Sequence, residues 1–459
     1  MSERVVVVGG GIAGLATAYR LLKARHEFDV VVLEAGDAPG GKIRSAVVGG
    51  VELEAGPDSI LSRKPWAVDL CRELGLGDEL VAPTSAAAQV HGRAGLVRLP
   101  SGPYGISTDL MELWRWPGMS YRGKLRAALD LVRPARRNDG DESLGSLLRR
   151  RIGDEATRAL VAPLLGGLFA GDVDRLSVRA TFPELAAWER GSGSLIRGAR
   201  AASGAARSRR AIGPPTPMFL RLRGGLRRLT QALVDAIGPE RLWLGTAATA
   251  VERRGRGFAV AAGDRELTAD TVVLASPAHV TADLLEGLAP DVAPALRAIP
   301  HVSTAVVLLV YPEGTAGRLP DSSGFVAPPG ALDVTAATLV SRKWPDETFG
   351  DRAVVRGFVG AAGSERAIDV ADDELVARVA RQLADLYPLP ADPDAAEVVR
   401  WPRAMPQYEV GHLDRVRAIE DGVPPGVFLV GQAYRGTGIP DCVRQANEVA
   451  GRVDAPAAR

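Results

Sequence analysis

Arg4 runs into four consecutive valines, Val5 to Val8, and these enter Gly9-Gly10-Gly11-Ile12-Ala13-Gly14 without a break. A continuous β-branched run predicts a buried parallel strand, and the glycines after it predict a tight turn into a helix. Ile12, Leu15, Ala16, Tyr19 and Leu22 recur at helical spacing over Gly11 to Arg25, and a second strand, Asp29 to Leu33, then delivers Glu34. Each part answers a need of a bound dinucleotide. Gly9 permits the turn, Gly11 lets backbone approach a pyrophosphate, and Gly14 lets helix and strand pack closely. The phosphates meet free N–H groups at the helix start, around Gly10, Ile12 and Ala13. Glu34, twenty residues after Gly14, is placed to accept both ribose hydroxyls, and its charge disfavours the 2′-phosphate of NADP.

The 459 residues are 46% apolar, enough for two or three domains and a large core. A formal net charge of +1 argues against a nucleic-acid partner, which needs uncompensated Lys and Arg. Cys71 and Cys442 form neither a disulfide framework nor a Cys-x-x-Cys pair, so a reducing cytoplasm is the expected location. No secretory pattern precedes the first strand and no apolar run reaches ~18 residues, so no transmembrane segment is expected, while a membrane-surface contact stays open. The histidines, His26, His91, His279, His301 and His412, are scattered, and Walker, His-Glu-x-x-His and Gly-x-Ser-x-Gly motifs are absent. Neither a metal site nor a serine nucleophile is expected.

After Glu34 comes Ala35-Gly36-Asp37-Ala38-Pro39-Gly40-Gly41-Lys42, a second glycine turn followed by a cation. This resembles the Glu-x(5)-Gly-Gly-Arg/Lys extension of the flavin-dependent amine oxidase superfamily. The resemblance implies FAD rather than NAD, with Ala35, Gly41 and Lys42 among its contacts. Nearly four hundred residues later, Gly426 to Gly431 reads as a strand ending in a glycine. Gly436-Thr437-Gly438-Ile439-Pro440-Asp441-Cys442 follows, with a helix expected to begin near Cys442. Backbone N–H groups at such a start stabilise negative charge at the flavin N1/O2 edge. The surroundings of Cys442 do not resemble a flavin-linking segment, so the FAD is expected to be non-covalent.

Between these ends, Leu113 to Arg200 is mostly helical in pattern, including Gly123–Arg133, Ser143–Ile152 and Asp154–Leu165. Ala201 to Pro217 reads as a mobile connection. Leu226–Ile237 is an amphipathic helix, and Leu242–Leu244, Ala248–Arg253, Phe258–Ala262 and Thr271–Ala275 are short strands completing the nucleotide domain, with Val251 near the adenine. Thr304–Tyr311, Val334–Val340 and Ala353–Val359 suggest a second sheet, with Asp372–Leu386 a helix on it. The expectation is an α/β chain. A discontinuous Rossmann-type FAD domain (1–60, 220–290, 400–459) is joined by a mixed α+β substrate domain (61–110, 291–399) and an inserted helical domain (111–219). Leu113 to Arg210 holds nine more basic than acidic residues, either a solvated face or a patch for an anionic partner, substrate or membrane.

Three further segments narrow the resemblance: Glu54-Ala55-Gly56-Pro57-Asp58-Ser59-Ile60-Leu61-Ser62-Arg63-Lys64-Pro65, Pro163 to Asp172, and Trp401-Pro402-Arg403-Ala404-Met405-Pro406-Gln407-Tyr408. With Arg435 to Cys442 they resemble the soluble Gram-positive type of oxygen-dependent porphyrinogen oxidase of haem synthesis, from Val5 to Val453. That family implies a three-domain flavoenzyme that aromatises a porphyrinogen, six electrons passing through the flavin to O2 as hydrogen peroxide. The chemistry belongs to the flavin and the protein mainly orients the macrocycle, so no catalytic acid or base is assigned. Carried over, Gly56, Pro57, Asp58 and Ser59 lie against the isoalloxazine, Trp401 beside it, and Ile439, Pro440 and Asp441 at its pyrimidine edge, while Gly431 ends the second flavin strand. Lys64 matches a basic residue at the propionate end of the substrate, Arg63 is a neighbouring cation, and Gly167 offers backbone to the macrocycle. Gln432-Ala433 departs from the usual Asn-Ser, which puts one polar contact to FAD in doubt. Coproporphyrinogen III, with four propionates, is expected over protoporphyrinogen IX, with two; a ferrochelatase is a candidate transient partner. An amine oxidase or carotenoid desaturase on the same scaffold, or a non-catalytic tetrapyrrole-binding flavoprotein, stays open.

Overall fold

The computed structural model describes residues 3–454, apart from 86, 94, 137–139, 211–216 and 345. A five-stranded parallel sheet has the order Leu242–Trp243, Asp29–Leu33, Arg4–Val8, Thr271–Leu274, Val427–Leu429, which joins the two ends of the chain in one sheet. Both faces are covered, as the apolar strands require. On one face, helices Ile12–Ala24, Trp66–Glu73, Arg227–Ile237 and Ile439–Asp454 bury Leu15, Leu70, Leu233 and Val443 against Val5 and Val7. On the other, the antiparallel strands Ala248–Arg254, Gly257–Ala262 and Arg265–Ala269 bury Val251, Phe258 and Val260 against Val6, Val8 and Leu33.

A seven-stranded mixed sheet runs Ala395–Pro406, His301–Val310, Val354–Val359, Val334–Leu339, Gly324–Val326, Ala88–Gly92, Gly95–Arg98. Helix Asp372–Leu386 lies on one face through Leu375, Val379 and Leu383. The opposite face packs on the hairpin Ser45–Val48 and Val51–Glu54, where Val51, Leu53 and Ala55 meet Val306, Leu308 and Val310. That hairpin therefore delivers residues 55–59 to the junction between the two sheets. Ala395–Pro406 is an edge strand, the one place where Pro402 breaks no interior ladder. Its register against His301–Val310 slips between Val302 and Thr304, and Arg403 takes a positive φ of 47° in the bulge.

Some expected limits move. The domain boundary set at residue 400 falls inside Ala395–Pro406, which belongs to the mixed sheet because its ladder to His301–Val310 is continuous across it. Residues 66–73, expected with the substrate region, bury Ala67, Val68, Leu70 and Cys71 in the nucleotide core. The C-terminal helix starts at Ile439, not near Cys442, because Pro440 suits a first helical turn. Of the expected mobile connection, residues 201–210 are helical, continuing Leu195–Arg210, whose Leu195, Ile196 and Ala199 are anchored in the helical core; residues 211–216 lie outside the described residues.

The helical region closes on Leu147, Leu148, Leu165, Phe169 and Leu185. Its basic excess is partly internal. Arg151 is fully buried, donating to Asp130 at 2.6 Å and to the carbonyl of Gly193 at 2.6 Å. Arg126 donates to the carbonyls of Arg149, Arg150 and Arg151 at a helix end, and Arg150 pairs with Glu142 and Glu189. Arg126, Arg150 and Arg151 are therefore engaged within the helical region.

Candidate active site

The glycine turns form a cradle. Gly9 has φ 112°, and a Cβ on Gly14 would overlap the Gly9 carbonyl, so the close turn demands both glycines. Gly40 N donates to Gly10 O at 2.8 Å, and a Cβ on Gly41 would lie 3.3 Å from Gly11 Cα, which sets the second glycine turn face to face with the first. Helix Ile12–Ala24 begins at Gly11 with no side-chain cap, leaving the first-turn N–H groups, those of Ile12 and Ala13 among them, to an anion. The Glu34 carboxylate accepts from Gly10 N at 2.7 Å and Gly36 N at 2.8 Å, which orients both oxygens and leaves lone pairs on each for hydroxyl donors. Ala35 beside it is exposed. Val251 is 1% exposed within the core, so only its backbone could face an adenine. A Cβ added to Gly431, whose φ is 130°, would lie 4.0 Å from Ala13 Cβ, which sets the C-terminal strand end beside the N-terminal helix start.

Lys42 follows the second turn. Burial pushes its ammonium down to about 8, and among the described residues no carboxylate pairs with it. A Cβ on Gly56 would overlap the Lys42 carbonyl, and Trp401 Nε1 donates to Ala55 O at 2.9 Å, so Lys42, Gly56 and Trp401 are contiguous. Asp58 is held by Lys343 Nζ at 2.8 Å, Trp344 Nε1 at 3.2 Å and Ser59 Oγ at 2.8 Å, with the buried Arg356 guanidinium 3.5 Å away. Burial alone would raise its carboxyl, but Lys343 and Arg356 outweigh that and hold it well below the usual carboxylate range. Asp58 is thus a fixed anion, not a proton carrier. Pro57 and Ser59 flank it, half-buried. Arg356 also donates to Gly56 O, so the mixed sheet grips this segment through charge as well as packing.

The start of the C-terminal helix closes the other side. Ile439 and Pro440 are buried, and Asp441 in the first turn accepts Lys64 Nζ on both oxygens at 2.7 Å. Burial, with Asp441 beside it, pushes the Cys442 thiol up to about 12, which leaves it protonated and a poor nucleophile toward a flavin. Arg63 is exposed, donates to Tyr104 Oη at 2.7 Å and lies 5.1 Å from the Tyr104 ring. Gly167 is exposed, and a Cβ there would meet nothing within 4 Å, whereas one on Gly166 would meet Gly171 O at 3.0 Å.

Sequence reasoning passed over several residues that tie these pieces together. Tyr408 Oη donates to Gln432 O at 2.6 Å and accepts from Gly436 N at 2.8 Å, and Gln407 Nε2 donates to Phe169 O at 2.9 Å. Gln432 donates to Ala404 O, so this departure from the expected pair serves the bulged strand. Lys343 and Arg356 gave no signal, because a lone cation in a strand or turn is ordinarily surface. Among the described residues, the non-glycine residues with positive φ besides Arg403 are Tyr104 (58°), against Arg63, and Ala170 (48°), three residues after Gly167. Strained residues concentrate where a site over-determines its backbone.

An uncapped helix start facing two glycine turns, a glutamate held by the Gly10 and Gly36 N–H groups and a half-buried lysine with no carboxylate partner among the described residues are the features of a dinucleotide-binding oxidoreductase of the flavin type. The chain belongs to the flavin containing amine oxidoreductase family, whose model matches residues 12–454, and its cofactor is FAD. It is similar to the coproporphyrinogen III oxidase of Bacillus subtilis (strain 168), 32% identical over 453 residues with 96% of each chain covered. It is also similar to that of Mycobacterium tuberculosis (strain H37Rv), 34% identical with 99% of this chain and 98% of the relative covered. Among solved structures, a proposed protoporphyrinogen oxidase from Exiguobacterium sp. 255-15 superposes with a TM-score of 0.87 at 32% identity, with 99% of each chain covered.

Proposed function

We propose that the chain oxidises coproporphyrinogen III to coproporphyrin III in haem biosynthesis, with O2 as acceptor and hydrogen peroxide as product, in the cytoplasm. The observation that carries this reading is the end-to-end similarity to relatives of that name, which covers the cradle and every segment around it. FAD, when bound, supplies the two-electron acceptance needed three times to aromatise the macrocycle. Gly9 to Gly14, Glu34, Ala35, Gly41 and Lys42 would hold its nucleotide and pyrophosphate, with Val251 and Gly431 contributing backbone. Gly56 to Ser59, Trp401 and Ile439 to Asp441 would hold its ring. The role of the remaining residues is position. Asp58, clamped by Lys343 and Arg356, fixes the ring-facing segment, so no reorganisation is needed as charge moves. Gly167 leaves room for the flat macrocycle, and the Arg63 guanidinium is a propionate partner at the rim. A ferrochelatase is the class of enzyme that would consume the product.

The superposition on the Exiguobacterium protein supports a second reading, protoporphyrinogen IX as substrate. The two separate on mixing each anaerobically prepared porphyrinogen with FAD-loaded protein in air while following porphyrin fluorescence and peroxide. Faster turnover of coproporphyrinogen is expected. Preference for protoporphyrinogen moves the enzyme to the step acting on two propionates, and no acceleration of either sinks the oxidase reading.

A further inference from the structure

Behind the segment that carries Gly56 to Ser59 the buried charges do not balance. Arg221 lies in strand Phe219–Leu222, which pairs with Ile60–Leu61 and Leu80–Val81. It is 9% exposed; among the described residues its guanidinium makes no hydrogen bond or ion pair, and its Nε is shielded from solvent. Glu54, at the end of the hairpin, accepts from Leu226 N on Oε1 at 2.6 Å, while Oε2 is buried without a partner. Arg356 donates to Gly56 O and lies 3.5 Å from Asp58, yet its Nε is also without a partner. Glu54, Arg221 and Arg356 are within electrostatic reach of one another. With Asp58 and Lys343 they set three cations against two carboxylates, and burial pushes Glu54 up toward its neutral form, which widens the surplus. Asp346, the other acid that feels Arg221, sits on an exposed turn where solvent screens it. A buried guanidinium without a counter-charge costs stability, and such strain concentrates where a site uses it.

We propose that the surplus cation behind residues 54–61, Arg221 above all, raises the reduction potential of the flavin bound against that segment by stabilising the negative charge its ring gains. This rests on the reading of Gly56 to Ser59 as ring-facing. Arg221 is tied to both ends of the segment: Glu54, two residues before Gly56, feels its charge, and its strand pairs with Ile60–Leu61 directly after Ser59. Arg356 and Lys343 are matched with Asp58, whereas Arg221 is matched with nothing as close, so its field reaches furthest. A guanidinium does not lose its proton, and in the protein interior a unit charge acts over longer distances than in water. The same geometry separates charge from scaffold, because a side chain with no hydrogen bond can be replaced by an apolar one of similar length without stranding a partner.

The test uses the full FAD-loaded chain and no porphyrinogen: the midpoint potential of bound FAD by dye-coupled reduction, with thermal melts alongside. Arg221→Met is expected to weaken the hold on reduced relative to oxidised FAD about tenfold, which for a two-electron couple lowers the potential by about 30 mV, with a thermal midpoint at or above that of wild type. Arg221→Lys, which keeps the charge, is expected to keep the wild-type potential. If Arg221→Met folds poorly, Arg221→Gln carries the same expected shift. A potential unchanged on removal of the charge, or lowered as much in Arg221→Lys, would overturn the proposal. The ring-facing reading is tested separately by the visible absorption bands of bound FAD in Ser59→Ala, which are expected to shift. Shifted bands with an unchanged potential in Arg221→Met overturn the charge assignment alone. Bands that do not move overturn the reading it rests on and the assignment with it, as does a chain that takes up no FAD.

Discussion

Gly167 and His412 show how differently a residue can be read alone. A Cβ at Gly167 would meet nothing within 4 Å, so folding does not require glycine there. Gly167→Val is expected to leave thermal stability nearly unchanged, within about 0.5 kcal/mol, since valine exceeds glycine in helix propensity by only about 0.3 kcal/mol. It should raise KM for porphyrinogen severalfold, and an unchanged KM would remove Gly167 from the substrate's path. His412, by contrast, is fully buried, stacked on Tyr408 at 3.9 Å and bonded through Nε2 to Tyr434 O at 2.9 Å. Burial lowers its pKa to about 4, from an ordinary 6.5 that the unfolded chain keeps. Above pH 6.5 both states are neutral and its contribution is whole. Between 6.5 and 4 the unfolded state takes up the proton first, so stability falls as pH falls, by up to about 3 kcal/mol. Urea midpoints from pH 7.5 to 4.5 should slope less in His412→Gln than in wild type; parallel slopes would contradict this.

At the scale of elements, the helices and strands with strong periodicity lie where the residues predict them. Arg4–Val8, Asp29–Leu33 and Asp372–Leu386 match to the residue, because apolar spacing and caps act locally. The short hairpin Ala88–Gly92 and Gly95–Arg98 and the strand Gly324–Val326 were illegible, since what places them in the sheet is a pairing between residues more than two hundred apart in the chain. Helix Leu144–Ile152 illustrates a further limit. Its Arg151 reads as one more surface charge, yet it knots Asp130, Pro134 and Gly193 in the interior. Arg151→Met is expected to destabilise the fold by about 3–5 kcal/mol, because it strands the buried Asp130 carboxylate. Calorimetry checks the loss, and FAD affinity should hold, since this pair lies in the helical core away from the glycine turns.

For the whole molecule, the two ends of the chain meet, the cradle of Gly9 to Gly14 near Gly431 and the helices that follow each packed together, and on the proposed reading FAD would bridge them. Removing the cofactor should therefore lower apparent stability by RT ln(1 + [FAD]/Kd), about 2.7 kcal/mol at a hundredfold excess over Kd. Thermal melts of stripped and reloaded protein test this, and a midpoint independent of added FAD would contradict it. Among the described residues, no helix is long and apolar enough to cross a membrane, and no cluster of three or more His, Cys, Asp or Glu could hold a metal.

The residues alone determined the nucleotide unit, because a strand, a glycine turn, a helix start and a ribose carboxylate are spaced by backbone geometry and needed no distant partner to be read. Tertiary structure decided what the charges do. It set Lys64 beside Asp441, and it turned Asp58 into a clamped anion through Lys343 and Arg356. The reason is physical: helical or strand spacing follows from local covalent geometry, whereas the partner of a buried charge is chosen by whichever opposite charge the fold brings within about 3 Å.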